Sequence, residues 1–198
     1  MSTGLDLQFV KETYEKMPDD ELVRVATRDM AGLTDEALVI VKEELKKRNL
    51  DANINKGIDA QRKTYTVEEI DEYCAIIQEL PCPVSGSTSR KLNGTKTAEV
   101  MSFILFSNYR KQIIIASPEM LDKANNNALI KTLLLGWWGV PWGLIRTVQA
   151  IGINAKSKRT NHMDEPNDYL RSFVLAKIGQ IETYKDNQAK LLEIISSN

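Results

Sequence analysis

The sequence predicts an α+β protein in which short helices come first, a small antiparallel sheet follows, and helices complete the chain. Three observations predict this class. Residues 1–80 carry apolar side chains at helical spacing with capping residues between them, and residues 88–116 are rich in β-branched and aromatic residues. Helical spacing then returns from Pro118. We expect two regions, a helical N-terminal module over residues 1–63 and a second region over residues 64–198.

The N-terminal region contains several helix start and stop signals. A first helix is expected to end before Pro18, and a second begins within PDDELVRVATR. Thr34 is predicted to cap DEALVIVKEELKKRN, and Thr66 with Glu69 forms a capping-box pattern before the next helix. The polar stretch DANINKGIDAQRK between them is expected to be a linker or a weak helix.

The middle of the chain predicts at least three antiparallel strands between residues 88 and 116. Asn93-Gly94 is a strong hairpin signal because both residues tolerate the backbone of a tight turn. The segments EVMSFILF and KQIIIA are expected to be strands, with the polar SNYR between them as a turn. After Pro118 we expect a helix, a helical hairpin, and a last helical region opened by Pro166 that is either one long helix or two joined near Asp186.

The composition argues against an enzyme. His162 is the only histidine, so a Ser-His-Asp triad or a histidine metal site has no second candidate to support it. Adjacent acids such as Glu43/Glu44 point in different directions on a helix, so their carboxylates do not converge on one substrate atom. We therefore expect a non-enzymatic protein without a cofactor. The N-terminus carries no secretory signal pattern, so the expected location is cytoplasmic, extending to a peripheral position on the inner face of the membrane.

Two turn-like stretches have the spacing of a zinc ribbon without its ligands. Cys82-Pro83-Val84-Ser85-Gly86 and Ser117-Pro118-Glu119-Met120 contain the prolines of two C-P-x-C turns. The four ligand positions, however, are Cys82, Ser85, Ser117 and Met120, and a single thiolate cannot replace four around Zn²⁺. We expect a ribbon-like scaffold that is held by packing, with no metal.

These turns, together with the helix LDKANNNALIKTLLL and the segment GWWGVPWG, resemble a group of uncharacterised bacterial proteins. Those proteins pair a zinc-ribbon-like module with a short apolar segment rich in tryptophan and glycine. The resemblance covers roughly residues 80–185 and implies architecture rather than an activity.

The most distinctive stretch is KTLLLGWWGVPWGLIR, which holds all three tryptophans of the chain. Only fourteen residues separate Lys131 from Arg146, whereas a helix that crosses a bilayer needs about twenty. We expect a helix ending near Gly136, a bend, and a second helix from Leu144, with membrane contact at the tip as the leading hypothesis. The alternatives are a core or protein–protein role and a true span. The predicted contact residues are Leu133, Leu134, Leu135, Trp137, Trp138, Val140, Trp142, Leu144 and Ile145.

The charge distribution favours an anionic partner for the middle of the chain. Residues 1–80 carry a net charge of −7, residues 81–160 carry +8, and residues 161–198 carry −2. The acidic N-terminal helices are a candidate recognition module for another protein. The cations expected to face an anionic surface are Lys131, Arg146, Lys156, Lys158 and Arg159.

A basic ribbon that binds nucleic acid is the main alternative from a different class. It would use a stripe of cations to contact phosphates and exposed aromatic rings to stack on bases. The candidate cations are Arg90, Lys91, Lys96, Arg110 and Lys111, and the candidate rings are Phe103, Phe106 and Tyr109. A soluble protein–protein adaptor with the tryptophan segment in its core is the remaining alternative.

Overall fold

A computed structural model describes residues 7–50, 52–103, 106–139 and 141–197. The chain divides into two compact units. The first consists of Met1–Tyr65 with Lys177–Asn187, and the second consists of Thr66–Ala176 with Gln188–Asn198. The boundary predicted from the sequence, between residues 63 and 64, stays a prediction.

The first unit is helical. Leu22, Val41 and Leu45 are fully buried at its centre, together with Ile54 and Ile58. Its helices are α1 (Leu7–Lys16), α2 (Asp19–Thr27), α3 (Asp35–Lys47) and α4 (Ala52–Arg62), with a short 3₁₀ turn at Met30–Gly32. The stretch expected to be a linker or a weak helix is therefore the helix α4.

Arg48 organises the end of α1. Its guanidinium donates to the carbonyls of Tyr14, Glu15 and Met17, which are groups that the end of a helix leaves without intrahelical partners. Glu44 receives the Nε–H of the same side chain at 2.7 Å. The hydrogen bond from Arg48 holds the pKa of Glu44 below its ordinary value despite burial.

Both capping predictions are confirmed. Thr34 Oγ1 accepts from the Ala37 N–H at the start of α3. At the start of the helix α5 (Val67–Gln78), the Thr66 side chain accepts from Glu69 N–H and the Glu69 carboxylate accepts from Thr66 N–H. Asp71 on α5 receives a two-point hydrogen bond from Arg171 at 2.7 and 2.8 Å.

The second unit pairs a long hairpin with helices. Strand β1 (Asn93–Phe103) lies antiparallel to β2 (Phe106–Ala116) in continuous register from Asn93↔Ala116 to Phe103↔Phe106. Two helices, α6 (Pro118–Leu135) and α7 (Trp142–Lys158), pack on β1. The chain then forms α8 (Asp168–Tyr184), whose first half belongs to this unit, and α9 (Gln188–Ser196). The last helical region is thus two helices, and the α+β class is confirmed.

The prediction of three or more strands is wrong for the described residues, which form a two-stranded sheet. The polar SNYR segment is not a turn. Asn108, Tyr109 and Arg110 continue β2 and pair with Met101, Val100 and Glu99. An unbroken eleven-residue ladder satisfies more backbone groups than a polar turn placed within it would.

Asn93-Gly94 is not a hairpin turn either, because tertiary contacts fix both residues at the start of β1. Asn93 is fully buried, and its Nδ2 donates to the carbonyls of Met163 and Glu165 at 2.9 Å. A Cβ on Gly94 would lie 2.5 Å from the backbone nitrogen of Leu170. Asn93 supplies hydrogen bonds at this position and Gly94 allows close packing, and neither residue forms a turn.

Candidate functional site

The helices α6 and α7 form an antiparallel hairpin with the tryptophan segment at its closed end. Gly136 caps α6, and α7 begins at Trp142. Asn125 and Asn154 are hydrogen-bonded at 3.4 Å between the helices, and Lys158 Nζ donates to Asn126 Oδ1 at 3.1 Å toward the open end. This arrangement agrees with the predicted bend within WWGVPWG.

Two glycines allow the helices to approach each other closely at the bend. A Cβ on Gly136 would lie 2.2 Å from Thr147 Oγ1. A Cβ on Gly143 would lie 2.8 Å from Ser102 Oγ and 2.9 Å from the Gly136 carbonyl oxygen. The end of β1 and the closed end of the helical hairpin are therefore in direct contact at Ser102 and Gly143.

The helices turn small and polar side chains inward. Roughly one residue in each turn of α6 and of α7 is buried against β1 and the other helix. Half of these buried residues carry an amide or a hydroxyl group, where a packed helix pair ordinarily buries leucine. The buried polar set, which we call the polar seam, consists of Asn125, Thr132, Thr147, Asn154 and Ser157.

The polar seam satisfies the free edge of β1, which pairs with β2 alone among the described strands. Asn154 Nδ2 donates to the Ala98 carbonyl at 2.7 Å, and its Oδ1 accepts from the Ala98 N–H at 3.3 Å. Thr132 Oγ1 accepts from the Val100 N–H, and Asn125 Nδ2 donates to the Lys96 carbonyl. An edge strand buried without such partners would lose the hydrogen bonds that water supplies.

A further amide network extends from the seam toward the open end of the hairpin. Asn125 Oδ1 accepts from Thr95 Oγ1 at 2.8 Å and from Asn161 Nδ2 at 2.9 Å. Asn161 also donates to Asp122, whose other carboxylate oxygen lies 3.0 Å from His162 Nε2. Burial opposes ionisation of Asp122, but His162 and Asn161 outweigh it and lower the pKa of that carboxyl.

Large apolar side chains point outward at the closed end of the same hairpin. Trp138 is 68% exposed, Trp142 is 63% exposed, and Trp137 is 41% exposed. These exposures do not agree with the alternative that places the tryptophans in the core. Val140 lies outside the described residues. The other exposed members of this surface, which we call the apolar tip, are Ile130, Leu133, Leu134, Leu135, Leu144, Ile145 and Val148.

The apolar tip ends at a similar level on both helices. The last exposed large apolar residue is Ile130 on α6 and Val148 on α7, and beyond them exposed positions are polar or small, such as Asn127, Gln149 and Ala155. At 1.5 Å per residue, each helix carries about 9 Å of apolar surface from the bend. An apolar patch of this kind on a protein surface marks an interaction site.

The structure divides the predicted cations into two groups. Lys131 and Arg146 lie within the apolar tip, and Lys131 Nζ contacts Glu99 at 3.1 Å. Lys156, Lys158 and Arg159 follow the far end of α7, roughly 20 Å along the helix from Trp142. These three cations therefore do not surround the tryptophans. Only Lys131 and Arg146 are adjacent to the apolar tip.

Two of the cations predicted to bind nucleic acid lie beside a carboxylate that offsets part of their charge. Lys91 lies 3.9 Å from Glu79, and Arg110 is opposite Glu99 in the strand register. Lys111 Nζ lies 4.6 Å from the centre of the Tyr109 ring, while Lys96 is half-buried and Arg90 is exposed. The side chains of Phe103 and Phe106 lie outside the described ones.

Three of the four degenerate metal positions, Cys82, Ser85 and Ser117, lie close together. Cys82 Sγ is buried, accepts from the Ser117 N–H at 3.4 Å and receives hydrogen bonds from Ser85 and the Val84 N–H. Burial raises the pKa of a thiol, but these donors outweigh burial and lower the pKa of Cys82 to about 7. Within the described part of the chain, no group of three or more His, Cys, Asp or Glu residues could hold a metal ion.

Comparison with known proteins gave no match to a family model, a curated protein or a solved structure. None of the helices in the described ranges is long and apolar enough to cross a membrane.

Sequence reasoning missed the polar seam. A signal was present, because Asn125 and Thr132 are seven residues apart, as are Thr147 and Asn154, and Asn154 and Asn161. A seven-residue repeat returns to the same helix face after two turns. Such a repeat of polar residues in apolar helices indicates an inward polar face and an outward apolar one.

Proposed function

We propose that this protein is a non-enzymatic interaction protein that attaches to a membrane surface or to a membrane-bound partner through the Trp-rich segment 133–145. The observation that carries the proposal is the inverted polarity of the α6–α7 hairpin at its closed end. Polar groups are buried in the seam, and the large apolar side chains are exposed. Exposing such side chains to water is unfavourable, so an apolar environment that covers them would gain about 25 cal/mol per Å².

The tryptophans support an interfacial environment. An indole ring is apolar but carries one N–H, so tryptophan is enriched where hydrocarbon meets headgroups. Trp138 Nε1 donates to the Leu134 carbonyl at 3.2 Å, which satisfies that N–H when water is absent. For Trp137 and Trp142, the described residues offer no such acceptor, and the headgroup level would supply one.

The supporting scaffold in this proposal is a zinc-ribbon-like turn pair that needs no metal. The hydrogen bonds from Ser85, Val84 and Ser117 to Cys82 Sγ take the place of metal ligation. Elemental analysis of purified protein tests this part. Less than one zinc per ten chains is expected, on the order of contamination, whereas one zinc per chain would overturn it.

The nucleic-acid alternative has weaker support, because Glu79 and Glu99 lie beside the cations it requires. A salt-sensitive mobility shift with single- or double-stranded DNA or RNA would favour it. The acidic N-terminal helices remain a candidate site for a protein partner.

Sedimentation with inverted bacterial membrane vesicles tests the main proposal. The Trp138→Ala/Trp142→Ala variant is expected to lose binding, and the matched control is Phe9→Ala, which removes an aromatic side chain that is 67% exposed outside the tip. Because all three side chains are exposed, the unfolding free energy is expected to change by only about 0.5 kcal/mol per site. Equal sedimentation of the two variants would contradict the proposal.

A further inference from the structure

We infer that the occupant of the apolar tip is the lipid bilayer itself and that the hairpin enters it end-on, to the level of Ile130 and Val148. This inference rests on the proposed function and narrows it. A membrane-bound protein partner, and a hairpin that lies flat on the membrane, are the two arrangements that it excludes.

Apolar exposure at the tip extends around the helix α6 rather than along one face. Leu133, Leu134 and Leu135 are consecutive in α6 and all exposed. Successive helical residues are turned by about 100°, so the three cover about 200° of the helix circumference. A helix that lies in the interface needs a single apolar face, whereas a fluid that surrounds a tip contacts every side.

The exposure of large apolar side chains ends at a common level on the two helices. On one outward face of α7, the residues Ile145, Gln149, Gly152 and Lys156 follow at helical spacing, and only the first carries a large apolar side chain. On α6, exposed Lys123, Asn126 and Asn127 precede Ile130. An apolar region that stops within about one turn on both helices fits a plane across the hairpin axis, which is how a bilayer surface meets it.

The depth of the apolar tip and the charge beside it also fit a bilayer surface. The apolar length of about 9 Å is the depth to which interfacial segments enter the headgroup and acyl boundary, and it is far below the roughly 30 Å of a hydrocarbon core. Arg146 lies near the end of this length, where a long cationic side chain can reach headgroups, and Lys131 at the same level contacts Glu99. The bend also has internal hydrogen bonds, from Gly136 N–H to the Thr132 carbonyl and from Gly143 N–H to the Gly139 carbonyl.

The experiment places an environment-sensitive NBD label along the face of α7 that contains Ile145. Each protein carries one introduced and labelled cysteine, at Ile145→Cys, Gln149→Cys, Gly152→Cys or Lys156→Cys. The NBD fluorescence of each is compared with and without phosphatidylcholine vesicles. All four positions are exposed, a Cβ at Gly152 meets no atom within 4 Å, and the two native cysteines are buried. Circular dichroism and sedimentation of each labelled protein establish that it is folded and bound.

The expected result is a blue shift and an intensity gain of about threefold or more at residue 145, and little change at residues 152 and 156, because only the first position enters the apolar layer. A similar shift at all four positions would overturn end-on entry. If the labelled proteins sediment with vesicles but none of the four NBD labels shifts its emission, the membrane contact lies elsewhere and end-on entry is also overturned. If the protein ignores vesicles of phosphatidylcholine and vesicles that also contain phosphatidylglycerol, but sediments with bacterial membranes through its tryptophans, the lipid occupant is wrong while the proposed function stands.

Discussion

Asn154 on α7 forms hydrogen bonds with both the N–H and the carbonyl of Ala98 on β1, so one side chain replaces the neighbouring strand that Ala98 lacks. The same side chain also donates to the Ala150 carbonyl. A fully satisfied asparagine on the buried face of α7 is thereby explained by the unpaired backbone groups at the edge of β1. It also frees the opposite face of the helix from any role in the core.

Replacing Asn154 by alanine is expected to destabilise the protein by about 2–5 kcal/mol. The substitution leaves the buried Ala98 N–H without its partner and leaves the Ala98 carbonyl with only the 3.5 Å hydrogen bond from Thr132 Oγ1, at a cost of about 1–3 kcal/mol for each group. Urea unfolding followed by circular dichroism measures the change. Asn127→Ala is the matched control, because Asn127 is exposed on α6, and it is expected to be neutral or slightly stabilising. Equal effects of the two variants would show that the edge contacts carry no net stability.

Gly136→Ala and Gly152→Ala are expected to act in opposite directions. The first places a Cβ 2.2 Å from Thr147 Oγ1 and should destabilise the protein by about 1–3 kcal/mol through forced repacking of the bend. The second meets no atom within 4 Å in the middle of α7 and should stabilise it by about 0.5–1 kcal/mol through helix propensity. Thermal unfolding of both variants measures the two shifts, and a stabilised Gly136→Ala variant would contradict the close approach of the helices.

Local signals in the sequence predicted much of the fold, and tertiary contacts account for the errors. The capping residues Thr34 and Thr66, and the bend after Gly136, depend on neighbours a few residues away, so the sequence pattern was sufficient. Asn93-Gly94 has the same local signal as a turn, but its partners Met163 and Glu165 are about seventy residues distant. No local pattern specifies such a contact.

The candidate site was predicted to a similar extent. The tryptophan segment and its bend could be read from composition and from glycine and proline positions. Whether the rings are exposed depended on what the opposite helix faces bury, and that depended on the edge of β1. The cations show the same limit, because Lys156 and Arg159 are near the tryptophans in sequence but at the other end of a helix.

Arg146 is expected to contribute to binding of anionic membranes, whereas Arg159 is not. A cation near an anionic surface contributes about 1 kcal/mol, and its contribution falls off within a Debye length of about 10 Å. Arg146→Gln should therefore weaken binding to vesicles with about 30% phosphatidylglycerol roughly fivefold at about 0.1 M salt, and Arg159→Gln less than about twofold. Titration of vesicles against intrinsic tryptophan fluorescence measures both, since all three tryptophans report from the tip. A larger loss for Arg159→Gln would indicate that α7 lies flat.

Cys82 is expected to ionise near neutral pH, while Cys74 stays protonated. Hydrogen bonds to Sγ lower the pKa of Cys82 to about 7, and desolvation, with a smaller effect of Asp71, raises the pKa of Cys74 to about 12. Thiolate absorbance near 240 nm should therefore show one step centred near pH 7 in native protein. Cys82→Ser should abolish that step, and Cys74→Ser should retain it if the variant folds.

The same shift gives a pH dependence of stability with a definite sign. Because the folded pKa of Cys82 lies below its ordinary value, the thiolate stabilises the fold above the ordinary pKa, and this contribution is lost as the pH falls through about 7. Between pH 9 and pH 7, the unfolding free energy of the wild type should fall relative to Cys82→Ser by up to about 1.4 kcal/mol per pH unit. Urea unfolding of both proteins at these two pH values measures the difference. A constant difference would show that the donors around Sγ do not favour the thiolate.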